Sequence, residues 1–181
     1  MKKILSITIA IIMILALGAP VFAAQNTTVF VTICDKNGKI ALAQEAINVT
    51  DADNDGILTI NDTLICAHEA KYESGTSAGY ATAMTAYGIS ITKLWGAENG
   101  SGYGYFLNNA SAWSLTDTVK NGDFVNAFIY TDTTNFSDAF AYFDKNTVAA
   151  DKNSELTLTL VCAGYDSNFA PITLPVANAI I

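Results

Sequence analysis

The sequence contains no arginine, a single histidine (His68) and only three prolines among its 181 residues. Nine lysines face seventeen acidic residues, for a formal charge of −8. Without arginine there are no planar guanidinium forks to clamp phosphates or carboxylates. With so few cations against so many acids, the chain has no basic stripe to neutralise a nucleic-acid backbone, which excludes that class of partner. One histidine excludes any metal centre or catalytic relay that needs two. Three cysteines (Cys34, Cys66 and Cys162) allow at most one internal disulfide and leave one thiol unpaired, so the fold is not a disulfide scaffold. Cys34 and Cys66 sit among apolar neighbours and read as free thiols packed like small hydrophobes.

Lys2 and Lys3 precede an apolar run over residues 4–17, and Gly18 and Pro20 break it. Val21-Phe22-Ala23 then places small residues at a cleavage site. This is the pattern of a secretory signal peptide, expected to span residues 1–23, and it directs the chain to an oxidising, extracellular compartment. No later stretch is apolar enough to span a bilayer. The lysine-only, Asn- and Thr-rich composition points to a bacterial cell surface.

After the leader, residues 27–33 are β-branched and aromatic and read as a strand. Asn37-Gly38 marks a tight hairpin turn, and residues 40–50 return as a second strand. A helix is expected over residues 59–73, where Ile60, Leu64 and Ala67 recur at helical spacing and Thr59-x-x-Asp62 forms a capping box. The Ala- and Gly-rich stretch that follows reads as a loop with a short helix over residues 78–87, stopped by Gly88. Strands are expected over 89–95, 103–108 and 124–131. The order β-β-α-β-β-β with hairpin connections implies an α+β domain over residues 24–132, its sheet antiparallel and one helix packed on it. Residues 133–181 read as a polar connector, then strands over 154–162 and between Pro171 and Pro175. Too short for a sandwich of its own, this segment is either an added layer or the opening of a further β-rich domain.

The sharpest motif is Asp51-x-Asp53-x-Asp55-Gly56, with Ile57, Thr59 and Asp62 completing a twelve-residue loop. Alternate acids let three carboxylates converge on one hard cation, and a glycine in the sixth place allows the sharp turn. Ile57 would offer its carbonyl, Thr59 a water or its own oxygen, and Asp62 a carboxylate from the first helical turn. Every donor is oxygen, with no His or Cys in the loop, so Ca²⁺ is the expected ion. The stretch from Asp51 through the helix resembles one calcium loop of dockerin modules. Dockerins carry two such loops. With one here, the resemblance implies calcium binding and not docking to a cohesin.

A second constellation comprises Gly104-Tyr105-Phe106-Leu107-Asn108, Gly122-Asp123 and Tyr130, together with Trp95, Tyr103 and Trp113. It resembles the β-grasp-like domain related to the C-terminal part of transcobalamin, common in bacterial surface proteins. Tyr103, Tyr105, Trp113 and Asn108 or Asn109 could form a ligand platform, since aromatics offer stacking faces and Asn offers paired hydrogen-bond groups. The alternative is that these aromatics fill the space between sheet and helix. His68, beside Glu69, reads as a surface or core-edge residue. No nucleophile elbow or zinc motif occurs, so an enzyme is not expected. The expected function is a secreted, calcium-binding adhesion or structural module with an extracellular protein or glycan as ligand. The alternatives are a small-molecule carrier and, less well supported, a carbohydrate-active enzyme.

Overall fold

In the first strand, β1 (Thr27–Cys34), residue exposure alternates strictly. Val29, Val31 and Ile33 are wholly buried, while Phe30, Thr32 and Cys34 are half-exposed on the other side. One face of the sheet therefore belongs to a core and the other carries a second, wetter surface. These elements come from a computed structural model that describes residues 27–100, 102–168 and 170–177. The leader read at residues 1–23 lies outside the described residues.

The turn after β1 forms where Asn37-Gly38 placed it. The Asp35 carboxylate accepts from the backbone N–H of Asn37 (2.8 Å) and Lys39 (3.0 Å), and Gly38 adopts φ +72°. Strand β2 (Ile40–Val49) then runs antiparallel to β1, with a bulge between the pairs Val31–Glu45 and Ile33–Leu42. Gln44, left-handed at φ 47°, takes up the extra residue, and its N–H donates to Thr32 Oγ1 (3.1 Å).

Helix α1 (Ile60–Lys71) begins at the capping box read from the sequence. Thr59 Oγ1 accepts from the Asp62 N–H, and the Asp62 carboxylate accepts from the Thr59 N–H. The two remaining N–H groups of the first turn reach a distant loop, Ile60 N–H donating to Asp117 O (3.0 Å) and Asn61 N–H to Leu115 O (2.9 Å). No donor at this helix start is left unpaired, which would be costly in a buried position. Ile60, Leu64 and Ala67 pack against the buried face of the sheet, joined by Leu94, Leu115 and Val119.

The short helix expected over residues 78–87 is not formed. Instead α2 occupies Gly75–Gly79, and a hairpin follows from β3 (Ala81–Thr85) and β4 (Gly88–Lys93). Helix propensity at these alanines yields to tertiary packing. Tyr80 leaves the helix, buries its ring, and donates its hydroxyl to Asn61 Oδ1 (2.9 Å). Beyond it, Thr85 Oγ1 bonds both Gly88 O and the Tyr87 N–H to close the turn.

The remaining strands are β5 (Tyr103–Leu107), β6 (Ala110–Ser111) and β7 (Phe124–Ile129), giving a sheet of order β2-β1-β7-β5-β6. The expected antiparallel sheet is in fact mixed, because β7 lies parallel to β1, pairing Phe30 with Phe124 and Cys34 with Phe128. Parallel neighbours need a crossover, and the helical segment supplies it. An α+β architecture dominated by strands is the result.

Downstream, β8 (Ala141–Phe143), β9 (Leu160–Tyr165) and β10 (Pro171–Pro175) form a separate antiparallel sheet of order β10-β9-β8. The strand between the two prolines occurs as read. The one expected over 154–162 starts later, at Leu160, and β8 emerges from the end of what read as a polar connector. All three cysteines are unpaired and half-buried. No described helix is long and apolar enough to cross a membrane.

His68 departs furthest from expectation. It is fully buried rather than at the edge of the core. Its ring stacks on Tyr80 (centroids 5.0 Å apart) and tilts against Trp95 (5.2 Å). Nδ1–H donates to Leu64 O (2.6 Å), and Nε2 accepts from the Trp95 N–H (3.2 Å), so one neutral tautomer satisfies both ring nitrogens. Trp95 itself is left-handed (φ 47°), an unusual conformation for a bulky residue, in a two-residue turn completed by Gly96 (φ 75°). Burial pushes the His68 pKa down, against a smaller upward effect of the Leu64 carbonyl. The unfolded chain then binds the proton more readily. Stability is complete above about pH 6.5, the unfolded imidazole value, and is lost as pH falls through it toward the lower folded value. Denaturant melts at pH 7.5 and 5.5 should show a loss of up to about 1.4 kcal/mol from this group at the lower pH. A His68→Gln variant should be less stable at pH 7.5 and lack that decline, and an equal decline in the variant would assign it to other groups.

Candidate functional site: the acidic loop

The loop between β2 and α1 is built from its own side chains. Asp51 closes it, Oδ1 accepting from the Asp55 N–H (3.2 Å) and Oδ2 from the Gly56 N–H (2.7 Å). Asp53 Oδ1 accepts from the Asp55 N–H (3.3 Å), and Asp55 Oδ1 from the Ile57 N–H (2.8 Å). Asn54 at φ 61° and Gly56 at φ 86° make the left-handed bends that turn the acids inward.

The result is that Asp51, Asp53 and Asp55 each present a carboxylate oxygen, all three within 4.8 Å of one another. Oxygens bound to one Ca²⁺ at about 2.4 Å lie no more than about 4.8 Å apart, so this spacing suits a single hard cation. The donor set is all oxygen, which fits Ca²⁺ and not a softer metal. The electrostatics differ along the loop. Hydrogen bonds, chiefly from Gly56, hold the Asp51 carboxyl below the usual carboxylate range. Desolvation and then the neighbouring Asp55 charge push Asp53 above it. The second effect is the repulsion that a bound cation would relieve.

The other expected ligands are placed differently. Ile57 has an exposed side chain, and among the described residues nothing donates to its carbonyl, which leaves that oxygen available. Thr59 is buried and its hydroxyl is committed to Asp62, donating to Oδ2 at 2.6 Å. Asp62 is fully buried and stands outside the three-carboxylate cluster. Its Oδ2 also takes the Thr59 N–H, and its Oδ1 accepts from the Ala52 N–H (2.9 Å). In this arrangement Thr59 and Asp62 brace the loop, while the Asp51, Asp53 and Asp55 carboxylates converge as a group that could hold a cation.

The expected aromatic platform is not assembled. Tyr103 and Tyr105 pack toward the core, and the Tyr103 hydroxyl donates to backbone carbonyls, Thr92 O at 2.8 Å and Ala97 O at 3.1 Å. Asn108 is left-handed and fastens the turn into β7, its Nδ2 donating to Asp123 and its Oδ1 accepting from the Phe124 N–H. Asn109 Nδ2 donates to Asn146 Oδ1 (3.4 Å). Trp113 is almost entirely exposed, with no ring stacked on it among the described residues. Sequence reading did not group the aromatics of the opposite sheet face, Phe106 of β5, Phe128 of β7 and Phe140 just before β8, because only the fold brings them together.

Comparison with protein-family models and with curated proteins finds no match for this chain.

The two groups of acids should separate by mutation. Asp62→Ala strips the acceptor from three donors, two of them buried, and should cost about 2–4 kcal/mol in denaturant melts without added metal. Asp53→Ala, at an exposed position, should leave that stability within about 0.5 kcal/mol. Equal costs would show that Asp62 is no brace.

Proposed function

We propose that this chain is an extracellular binding module whose acidic loop takes up Ca²⁺ to fix the junction of β2 and α1. The convergence of the Asp51, Asp53 and Asp55 carboxylates within 4.8 Å carries the reading. In it, these three acids and the Ile57 carbonyl hold the ion, water fills the remaining positions, and Asp62 orients the loop from behind. The leader pattern at residues 1–23 supports export, and millimolar calcium outside the cell suits an exposed site of modest affinity.

The sheet order supports the β-grasp-like reading of the same unit. A hairpin, β2-β1, is followed by a helical crossover, and the last strand enters parallel to β1 at the sheet centre, beside β5. A binding rather than catalytic role is supported by His68, whose two nitrogens are both spent inside the core.

Titration calorimetry with CaCl₂ should give a dissociation constant of about 10⁻⁴–10⁻³ M. At 10 mM calcium, mass action then adds about 1.4–2.7 kcal/mol of stability. For a chain of this size that raises the melting temperature by roughly 3–10 °C relative to protein in EGTA. Asp51→Ala/Asp55→Ala should melt identically in both buffers. No binding heat together with an unchanged melting temperature would overturn the proposal.

A further inference from the structure

The face of the sheet turned away from α1 is not a plain solvent surface. Across it, Thr32 of β1, Asn126 of β7 and Phe106 of β5 form one cross-strand row. On either side of Asn126 along β7 stand Phe124 and Phe128, each half-buried. A carboxamide thus occupies the middle of an aromatic floor, at the place on a central strand where an apolar or β-branched side chain would pack best.

This floor has a roof. Phe140, just before β8, stacks on Phe106 with centroids 4.1 Å apart, and Tyr142 stacks on Phe140 at 5.4 Å. The connector that brings Phe140 there is tied down by two acids. Asp132 accepts from Thr134 N–H, Asn135 N–H and the Ser137 hydroxyl, and Asp138 from Thr131 and the Asp132 N–H. Beside the stacked Phe106–Phe140 pair, between the β1–β7 face and the connector, lies a cleft of about 760 Å³, within the range of small-molecule sites.

Three features of the cleft define what would fill it. Phe128 and Phe140 line the cleft near-parallel, with an interplanar angle of 10° and centroids 6.4 Å apart, and Phe124 lines it on the other side of Asn126, so the walls suit a flat, apolar molecule. The half-buried Asn126 lines the cleft with its amide open to water, and no described residue bonds its donor or its acceptor end. It offers one acceptor and one donor side by side, the complement of a lactam or imide edge. Charge is nearly absent from the interior. Asp138 reaches it with both oxygens already taken, and Lys145 is exposed at its mouth.

We propose that this cleft binds a neutral, planar heterocycle carrying a lactam or imide edge, held between the rings of Phe124, Phe128 and Phe140 that line it and read by the Asn126 amide. The ring N–H of the ligand donates to Asn126 Oδ1, and Nδ2 donates to the adjacent ligand carbonyl. Hydrophobic burial supplies most of the affinity, and the amide pair supplies the selection, because an unmatched edge would leave Asn126 desolvated without a partner. No residue of the 51–62 loop lines this cleft, so the proposal stands apart from calcium binding.

Lumiflavin is a suitable probe, being flat, uncharged, fluorescent and bounded on one side by an imide. Titrating the full chain into micromolar lumiflavin in EGTA should quench its fluorescence saturably, with a dissociation constant of about 10⁻⁴ M. N3-methyl-lumiflavin, whose imide N–H is blocked, should bind about tenfold more weakly. Asn126→Leu should lose about tenfold for lumiflavin and cease to distinguish the two probes. No quenching at 1 mM protein, with a cooperative melt showing the protein folded, would overturn the proposal. So would equal affinity for the two probes on the unmodified protein, a comparison that needs no variant to fold. Binding that persists in EGTA while calcium gives no heat would uphold this site and sink the calcium reading, and the reverse outcome would do the opposite.

Discussion

The buried carboxylate of Asp62 is the fastening on which the first unit depends. It accepts from Ala52 at the start of the acidic loop and from both backbone and side chain of Thr59 at its end. So deeply buried a carboxylate is tolerable because three donors reach it and because it sits at the positive end of a helix. The same helix end is clasped from outside by the carbonyls of Leu115 and Asp117, and Val119 N–H returns a bond to Leu58 O. Loop, helix and the approach to β7 therefore meet at one knot. The position of the central strand β7 and the shape of the acidic loop are set by the same few hydrogen bonds.

From that knot the two faces of the sheet take separate duties. The helix side is closed by aliphatic residues and by His68 with its aromatic neighbours, and glycines permit the fit. A Cβ at Gly79 would lie 2.7 Å from the Tyr72 ring, and one at Gly96 would meet the Tyr72 hydroxyl at 2.0 Å. The far side keeps half-buried rings, an amide and the Cys34 thiol, whose pKa burial and then the nearby Asp35 charge raise. A raised pKa keeps that thiol protonated and weakly nucleophilic at neutral pH.

Much of this was legible in residues that carry local instructions. Asn37-Gly38 located the first hairpin, Thr59 and Asp62 marked the helix start, and the β-prone run from Phe124 announced β7. Asp51, Asp53 and Asp55 were legible as a group because their spacing is itself the geometry. What could not be read depended on partners far along the chain. Ala81 to Thr85 has helix-forming alanines, and only the presence of β4 makes it a strand. His68 looked peripheral beside Glu69, because nothing local shows that Tyr80 and Trp95 fold over it. Asp62 has the right position for an ion ligand, yet the Ala52 N–H turns it into a brace. Asn126 is visible in the strand pattern, but its meaning lies in Phe140, fourteen residues on, covering the same face.

The parallel alignment of β1 with β7 also bears on how the chain reaches this structure. Phe30 cannot meet Phe124 until the hairpin, both helices, β3 to β5 and the 112–123 loop between them have been delivered. Pairings so distant along the chain carry a large loop-closure cost before any contact rewards it, and they slow folding accordingly. The β1–β2 hairpin can form at once, leaving the inner edge of β1 unpaired in the meantime. Until the last central strand arrives, that edge is an open row of backbone donors and acceptors, and it is where the folding chain is most exposed to pairing with the wrong strand.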